Sequence, residues 1–577
     1  MTGAAQAPRF AALHTPKLLT VLSEGYGFAQ LKADLVAGLT VAIVALPLSM
    51  AIAIASGTTP DRGLTTSIVG GFLVSALGGS RFQIGGPAGA FIVLVAATLN
   101  QYGLDGVIVA TLLAGLMQAA IGLLRLGTFI KYIPYPVTVG FTAGIALIIA
   151  SGEVADLLGL HLAGREPGPF LPKLAALFAA LPTVDVASVV TAALAIVAIV
   201  AVRRRRPLWP AYLIGVALAS VAAAALRLPV ATIGSRFGGI PAALPMPHLP
   251  ALSPEIVVRM LPAAAAFALL GSIESLLSAV VADSMSGRRH RSNAELVAQG
   301  IANVASALFG GICVTGTIAR TATNVRAGAH GPLAGMFHAA FLLLFVVVAA
   351  PLARYIPLSA LAAVLCVVAW NMAEKHEFLT LLRASRGDAV VLLATFLLVV
   401  FRDLSTGIVA GFMLGTLLFM HRMAHAVAVE GSGPLADDDV ADRQPDASRP
   451  PYDPALAADP AIVVYRISGA FFFGAAAGVS AALERIGAHP RAYVIDFSAV
   501  PLIDSTAAAT LGGFARKARH QGAVVYVAGV RPAIRRLLRT HGIRPPQVHF
   551  AANVGEAFAA ARQRLAEGAE AAPARAA

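Results

Sequence analysis

Charged side chains are scarce in this 577-residue sequence. They make up 13% of the residues, whereas an ordinary soluble protein carries about 25%. Hydrophobic residues make up 58% of the chain, and the mean hydropathy is +0.77. A soluble core cannot enclose this much apolar surface, so the lipid bilayer must solvate most of the protein. The composition therefore excludes an ordinary soluble protein and predicts a large membrane domain.

Cysteine is nearly absent, since the chain has only Cys313 and Cys366, both in apolar surroundings. A structural disulfide is therefore not expected, and the redox compartment is left open. The sequence also lacks a metal-ligand cluster, a P-loop and a nucleophile–histidine–acid set, so we expect neither an enzyme nor a bound metal or cofactor. Residues 1–33 lack the apolar core and cleavage site of a signal peptide, so the first spanning helix is expected to direct insertion.

Long apolar runs fill most of the first 424 residues. A helix needs about 20 apolar residues to cross the bilayer, and the runs predict a polytopic α-helical membrane protein with fourteen segments. The predicted segments lie near residues 34–55, 64–79, 88–100, 105–125, 133–152, 186–202, 209–226, 259–283, 295–309, 317–328, 333–353, 355–373, 388–402 and 404–424.

Lysine and arginine give the chain a formal net charge of +13. They are concentrated in alternate loops, for example at residues 203–206 between segments 6 and 7 and at residues 288–291 between segments 8 and 9. The positive-inside rule assigns these loops, and both chain termini, to the cytoplasm. The basic balance therefore reflects membrane topology, and no nucleic-acid partner is expected.

Segments 3 and 10, near residues 88–100 and 317–328, are too short to cross the bilayer. Each follows a glycine-rich stretch, at residues 85–89 and 310–316, and each is the third of seven segments in its half. Because seven is odd, the two halves must have opposite topology, which gives a 7+7 inverted repeat. Paired broken helices in equivalent positions indicate a binding site near the bilayer midplane.

The chemistry of two facing half-helices favours a small anion. A helix N-terminus carries roughly +0.5 charge and free N–H groups. Arg320, one turn inside segment 10, would add a full positive charge, and Thr317 and Thr321 would add hydroxyl donors. Two alternatives for Arg320 are snorkelling to the cytoplasmic surface and a structural pair with a carboxylate.

Glu274 is a second charge within a predicted segment, and Ser278 lies on the same helical face at i+4. An ionised carboxylate at the bilayer centre costs about 2.5–3.5 kcal/mol or more. Glu274 must therefore pair, bind a cation or hold a proton, and we predict that it couples transport to H⁺ or Na⁺. The alternative is a fixed ion pair with Arg320. Pro47 either exposes Ser49 to the same cavity or simply kinks segment 1.

Several of these motifs resemble the SulP sulfate permease family. The run at 318–328 is similar to the family's tenth helix, and residues 80–87 are similar to its approach to the third. The run at 273–283 looks most like the bacterial branch that contains C4-dicarboxylate and bicarbonate transporters. The resemblance implies a core and a gate domain, a homodimer in a bacterial inner membrane, and anion binding between half-helices 3 and 10.

Carried over by position, the resemblance implies a set of substrate-binding residues. These are Gly86, Ala88, Gly89, Gly316, Thr317, Ile318, Arg320 and Thr321. Glu274 and Ser278 match the residues that bind Na⁺ in the bicarbonate carrier. This sequence has Glu instead of Asp at 274 and Ile318 instead of a threonine ligand, and both departures favour H⁺ over Na⁺.

The composition changes after His421. Short β-like runs at 461–467, 492–496 and 523–530 alternate with helical patterns at 474–486, 505–520 and 532–541. This alternation predicts a small α/β layer, and it resembles the STAS domain that ends SulP proteins. Ser505 matches the phosphorylated position of anti-sigma-factor antagonists, although a serine at a helix start is first interpreted as a cap.

The sequence therefore predicts a secondary active transporter of small anions, namely sulfate, bicarbonate or a C4-dicarboxylate, driven by H⁺. Alternatives are a Na⁺-coupled bicarbonate symporter, a nucleobase carrier, which Arg320 argues against, and a membrane anion sensor that signals through the STAS domain. The predicted partners are the anion, H⁺ or Na⁺, the lipid bilayer and a second copy. The predicted domains are a cytoplasmic segment at 1–33, a transport domain at 34–428 with repeats at about 34–226 and 259–424, a linker at 429–459, a STAS domain at 460–566 and a tail at 567–577.

Overall fold

The computed structural model describes residues 14–127, 134–164, 166–206, 209–431, 461–484 and 490–570. Most of the predicted linker and the end of the predicted tail lie outside these residues. The chain forms two compact units, Met1–Gly415 and Thr416–Ala577, and each unit is described by itself.

Helices occupy all fourteen predicted segments. The first half contains α1 (Lys17–Ser23), α2 (Phe28–Ala55), α3 (Pro60–Thr65), a π-turn (Thr66–Gly70), α4 (Gly71–Leu77), β1 (Gly85–Gly86), a 3₁₀ turn (Gly89–Phe91), α5 (Ile92–Leu123), α6 (Tyr135–Gly152), α7 (Val154–Leu158), α8 (Phe170–Ala180), α9 (Val186–Arg205) and α10 (Ala211–Ala225). The second half contains α11 (Ile233–Phe237), α12 (Pro254–Ser286), α13 (Ser292–Leu308), β2 (Thr315–Gly316), α14 (Ile318–Arg326), α15 (Leu333–Ala353), α16 (Leu358–Met372), α17 (Lys375–Ala384), α18 (Arg386–Phe401) and α19 (Leu404–His425).

Eight helices of the described chain are long and apolar enough to cross a membrane, and the other segments are shorter or interrupted. Predicted segments 3 and 4 form one helix, α5, whose backbone breaks at Gly103 with φ of 72°. Only glycine adopts this conformation without strain, so the break falls between the two predicted segments. The short helices α8 and α17 were not predicted, because each is too short or too polar to register as a span.

The helices of the first unit pack in two groups. In one group, α5 packs on α12 and α13, and α2 packs on α15. In the other, α6 packs on α16 and α18, while α9 packs on α10 and α16. Glycines at the contacts allow close approach: Gly115 on α5 faces Gly300 on α13, and a Cβ on either would press against the opposite backbone. Small residues at such contacts are typical of helices packed in a membrane.

The N-terminal helix α1 is bound to the group that contains α4 and α13. The Lys17 N–H donates to the Gly78 carbonyl at 2.9 Å, and the Arg291 guanidinium donates to the Thr15 carbonyl at 2.8 Å. Glu24 forms an ion pair with Arg81. The hydrogen bond from Arg81 lowers the pKa of the Glu24 carboxyl. These contacts fasten the start of the described chain to the elements that carry the half-helices.

The second unit is a five-stranded sheet with helices on both faces. Its elements are β3 (Ala428–Gly431), β4 (Ile462–Ser468), α20 (Phe473–Glu484), β5 (Ala492–Asp496), α21 (Ser505–His520), β6 (Val524–Ala528), α22 (Pro532–Thr540), β7 (His549–Ala551) and α23 (Val554–Glu570). The strand order is β3-β4-β5-β6-β7, and only the β3–β4 pair is antiparallel. Every residue of β5 is buried, because α20 and α21 cover one face and α23 covers the other. The short strands β3 and β7 and the helix α23 were not predicted.

Candidate functional site

The two glycine-rich stretches meet in an antiparallel crossing. Gly85 pairs with Gly316, and Gly86 pairs with Thr315. The Thr317 N–H extends the ladder by donating to the Ile84 carbonyl at 2.9 Å. Backbone that leaves a helix within a membrane must find its hydrogen bonds inside the protein. The crossing meets this requirement by pairing one half of the chain with the other.

Side chains from neighbouring helices satisfy the backbone that leads into β2. The Val314 N–H donates to the Asn303 Oδ1 at 2.8 Å, and the Val314 carbonyl accepts from the Gln299 Nε2 at 2.6 Å. The Ile312 N–H donates to the Thr66 Oγ1 in the π-turn at 2.8 Å. The irregular stretch before α14 is therefore rigidly held.

Helices begin directly after both strands. Ala88 precedes the 3₁₀ turn that opens α5, and Thr317 precedes α14. Neither residue caps its helix with a side chain, and the first N–H groups of a helix have no acceptor within it. Because the crossing is antiparallel, the two helix starts lie at its opposite ends. The site residues Gly86, Ala88 and Gly89 stand at one end, and Gly316, Thr317 and Ile318 stand at the other.

Arg320 connects the two ends. It projects from the first turn of α14, is 1% exposed, and reaches back across the crossing to the Pro87 carbonyl at 3.4 Å. Its Nη1 donates to Ser67 in the π-turn and its Nη2 donates to Ser49 on α2, both at 3.2 Å. All three acceptors are neutral, and the Nε has no hydrogen-bond partner among the described residues. Within the described chain, no carboxylate forms an ion pair with this guanidinium.

The glycines of the crossing leave room for side chains from the opposite half. A Cβ on Gly86 would overlap the Arg320 guanidinium and lie 3.0 Å from the Ser67 Oγ. A Cβ on Gly316 would overlap the Gln83 amide. Gln83 in turn donates to the Ser275 carbonyl at 3.0 Å and to the Ser275 Oγ at 2.8 Å. Each half therefore contributes one glycine gap and one polar side chain that fills the other gap.

The threonine hydroxyls of α14 bond to the crossing itself. The Thr317 Oγ1 donates to the Ile84 carbonyl at 3.1 Å, and the Thr321 Oγ1 accepts from the Ile84 N–H at 3.1 Å. From the sequence, both hydroxyls are predicted to bind the anion. The structure places them where they hold β1 against α14. Ile318 begins the helix and presents an apolar side chain.

Glu274 lies on the face of α12 that packs on the crossing. One turn before it, the Gly271 carbonyl accepts from the Thr315 Oγ1 at 3.1 Å. One turn after it, the Ser278 Oγ donates to the Thr321 Oγ1 at 3.0 Å. Glu274 is 6% exposed and has neither a hydrogen bond nor an ion pair among the residues that the structure describes. The alternative of a fixed pair with Arg320 is therefore not observed.

Several polar residues at this site were missed in the sequence analysis. Gln83 and Ser67 complete the two glycine gaps, and the Asn324 Nδ2 donates to the Phe82 carbonyl at 3.0 Å. Glu295 is fully buried near the start of α13, where its Oε2 accepts from the Ser80 N–H at 3.0 Å. Its position at the edge of a predicted span gave no signal that it is buried. Ser49 lies in the site, which agrees with the first of the two alternatives given for Pro47. The helix α2 nevertheless continues as one element through Pro47.

Ser505 in the second unit does not cap its helix. The cap of α21 is Asp504, whose Oδ1 accepts from the Ala507 N–H at 2.8 Å and whose Oδ2 accepts from the Phe473 N–H at 2.9 Å. The interpretation of Ser505 as a cap is therefore wrong by one residue, because an aspartate directly precedes it and is also a favoured cap. Ser505 itself is exposed in the first turn. No group of metal-ligating side chains occurs in the described part of the chain.

Comparison with known proteins places both units in recognised families. Residues 31–395 match the Sulfate permease family, and residues 453–557 match the STAS domain. A Bacillus subtilis protein named "Putative sulfate transporter YvdB" is 38% identical over 524 residues, which cover 90% of this chain and 95% of the relative. The bicarbonate transporter BicA of Synechocystis is 30% identical over 530 residues, covering 89% of this chain and 90% of the relative.

Two solved structures have a similar fold. The transmembrane domain of a cyanobacterial BicA has a TM-score of 0.60 at 31% identity and covers 68% of this chain and 98% of its own. The murine anion transporter Slc26a9 has a TM-score of 0.82 at 17% identity and covers 98% of this chain and 96% of its own. The helical order, the half-helices and the STAS domain agree with the predicted fold class.

Proposed function

The chain belongs to the sulfate permease family, ends in a STAS domain and is a multi-pass anion transporter rather than an enzyme, and we propose that it moves a small oxyanion by H⁺-coupled secondary active transport. The anion binds at the crossing, between the starts of α5 and α14. The Arg320 guanidinium supplies the charge, while backbone N–H groups after Ala88 and Thr317 supply the remaining donors.

The observation that carries this proposal is the unneutralised charge of Arg320. A buried guanidinium with only neutral acceptors costs free energy that a bound counter-ion recovers. An anion beside Pro87 would meet the guanidinium and the positive end of the first half-helix together. Gly86 leaves room for the Arg320 guanidinium, and Ala88 and Gly89 add no bulky side chain, so the backbone can approach the substrate closely.

Sulfate and bicarbonate are the substrates that we propose. Relatives named as transporters of these two anions match about nine-tenths of the chain. Both are compact oxyanions that a few N–H donors and one guanidinium can coordinate. A C4-dicarboxylate carries two separated charges, and Arg320 is the one buried cation that we find in contact with the crossing among the described residues. We therefore propose sulfate and bicarbonate as better substrates than C4-dicarboxylates.

Glu274 is the proposed proton carrier. Its carboxyl group is buried beside the crossing and has no partner in the described part of the chain, so its charge state changes the electrostatic potential at the anion site. A Na⁺ site would need several oxygen ligands, and Ile318 offers only an apolar side chain. This arrangement favours a proton over Na⁺ as the coupling ion.

Uptake by the full-length protein in proteoliposomes tests these roles. We expect labelled sulfate or bicarbonate to accumulate when a pH gradient is applied, without a requirement for Na⁺. Arg320→Ala should abolish uptake, and Glu274→Gln should leave uptake that no longer responds to the pH gradient. Arg326→Ala is the matched control, because Arg326 is exposed on the same helix. Normal, equally pH-sensitive uptake by both site variants would contradict the proposal.

Deleting residues 430–577 separates a transporter from a sensor. We expect the truncated protein to keep the anion specificity of the full chain, because every proposed substrate group lies in the first unit. Loss of a cytoplasmic signal with unchanged transport would instead support the sensor function. We also propose that the protein is a homodimer of the bacterial inner membrane with both termini in the cytoplasm.

A further inference from the structure

A groove of about 470 Å³ lies between α9 and α16, away from the crossing. Its floor is apolar and includes Ile196, Val200 and Val367, whereas Arg203, Arg204 and Trp370 stand at one end. The groove opens to the outside of the helical unit, where Val197 and Val200 are 64% and 36% exposed and Trp370 is 68% exposed. In a membrane-spanning unit, such an apolar opening faces lipid.

The charged end of the groove is strongly basic. Residues 203–206 are four consecutive arginines at the end of α9, and none of them forms an ion pair with an acidic side chain of the described chain. The Lys375 ammonium lies 3.9 Å from the centre of the Trp370 ring, and Glu374 and Glu377 are close to it in the chain, so the arginines supply the net positive charge at this end. The positive-inside rule assigns this end to the cytoplasmic leaflet.

We propose that this groove binds an anionic phospholipid of the cytoplasmic leaflet. An acyl chain covers the apolar floor, and the phosphate group meets Arg203 and Arg204. Basic pockets between spanning helices on this side of a membrane are suited to anionic head groups. A free phosphate ion would gain nothing from the apolar floor. Trp370 lies at the level of the head groups, where tryptophan is enriched in membrane proteins.

The scarcity of tryptophan provides a direct test, because the chain contains only Trp209 and Trp370. In the Trp209→Phe variant of the full-length protein, Trp370 is the single tryptophan. This variant is reconstituted in vesicles with increasing fractions of brominated phosphatidylglycerol or of brominated phosphatidylcholine. We expect brominated phosphatidylglycerol to quench the fluorescence of Trp370 at a several-fold lower lipid fraction than brominated phosphatidylcholine does. Each basic residue that contacts the lipid phosphate is expected to contribute roughly fivefold to this preference.

Charge-matched variants locate the head group. Arg203→Gln together with Arg204→Gln should remove most of the preference for phosphatidylglycerol. Arg205→Gln together with Arg206→Gln removes the same charge from the same helix end, yet should retain most of the preference because these side chains do not line the groove. Equal effects of the two pairs would overturn the proposal and leave only general surface attraction.

Cys366 gives a second, independent measurement. It lines the groove and is partly exposed, whereas Cys313 is fully buried. We expect the rate of Cys366 alkylation by a membrane-permeant maleimide to fall several-fold as phosphatidylglycerol replaces phosphatidylcholine. Equal rates in both lipids, relief of Trp370 quenching by excess inorganic phosphate, or the absence of quenching by either brominated lipid would each contradict lipid binding in the groove. The absence of quenching by either brominated lipid would show that another protein chain covers the groove.

Discussion

The starts of the two half-helices share a backbone arrangement and differ in their polar side chains. The first, at residues 85–91, offers only glycine, proline, alanine and phenylalanine, so its attraction for an anion comes from N–H groups alone. The second, at residues 315–321, carries three threonines and Arg320. An inverted repeat therefore gives a symmetric frame in which one half supplies the space and the other half supplies the charge.

The difference extends to the glycine gaps. Arg320 fills the gap at Gly86 with a cation that binds Ser49 and Ser67, while Gln83 fills the gap at Gly316 with a neutral amide that binds Ser275. We infer that the first gap serves substrate binding and the second serves packing. Substitutions at the two glycines test this distinction most directly.

The largest effect is expected from Gly86→Ala. The new Cβ displaces the guanidinium from Ser67 and Ser49, and each hydrogen bond to a charged group contributes about 1.5–3 kcal/mol. Anion uptake should fall at least tenfold, and removing the clash with Arg320→Ala should not restore it, because the charge itself is needed. Gly164→Ala is the control, since Gly164 is exposed and a Cβ there would meet no atom within 4 Å. Recovery of uptake in the double variant would contradict a substrate role for Arg320.

A smaller effect on uptake is expected from Gly316→Ala. The new Cβ displaces Gln83 and breaks its bonds to Ser275, so the main result should be a loss of stability of about 1–3 kcal/mol. Thermal unfolding in detergent measures this loss. The Gln83→Ala change on the same chain should restore uptake, because it removes the overlapping amide, but it should not restore stability, because the hydrogen bonds to Ser275 are still lost. Failure of this rescue would show that Gln83 does more than pack.

A moderate effect is expected from Ser49→Ala and from Ser67→Ala. Each removes one acceptor of the Arg320 guanidinium, and the KM for the anion should rise about tenfold. The two hydroxyls also bond to each other at 2.7 Å, so the double variant should lose less than the sum of the single losses. Concentration series of uptake provide the three KM values. Strict additivity would show that the hydroxyls act separately.

The smallest effect is expected from Thr317→Val. The Thr317 hydroxyl donates to the same Ile84 carbonyl that the Thr317 N–H already engages, so its loss should cost about 1 kcal/mol of stability or less. Uptake should stay within about twofold of the unmodified protein. A tenfold loss of uptake at unchanged stability would show that the Thr317 hydroxyl binds the substrate. The start of α14 would then contribute more substrate-binding groups than we propose.

The sequence alone was sufficient to predict the fourteen helical segments and to identify segments 3 and 10 as half-helices. Apolar length is a local property, and the glycine-rich stretches at 85–89 and 310–316 indicated irregular backbone in apolar surroundings. Arg320 and Glu274 were recognisable because a charge within a predicted span is costly. These signals depend on the residue and its near neighbours, so no knowledge of the tertiary structure was needed.

The partners of those residues could not be predicted in the same way. Ser67 is separated from Arg320 by 253 positions, and Gln83 is separated from Ser275 by 192. Neither Ser67 nor Gln83 differs in type from many other polar residues in spans. Only the crossing of the two chains shows which hydroxyl faces which donor. The strands β3 and β7 escaped prediction for a different reason, since four and three residues are too few for a periodic pattern.

The fastening of α1 has a consequence for observing the transport cycle. Thr15, Lys17 and Glu24 are bound to Arg291, Gly78 and Arg81, so α1 is expected to move with the half-helices if transport shifts them against α6 and α9. A fluorescent dye at residue 15 and a second dye on the exposed end of α9 would then form a molecular ruler. The efficiency of energy transfer between the two dyes would report in real time how far α1 moves relative to α9 during transport.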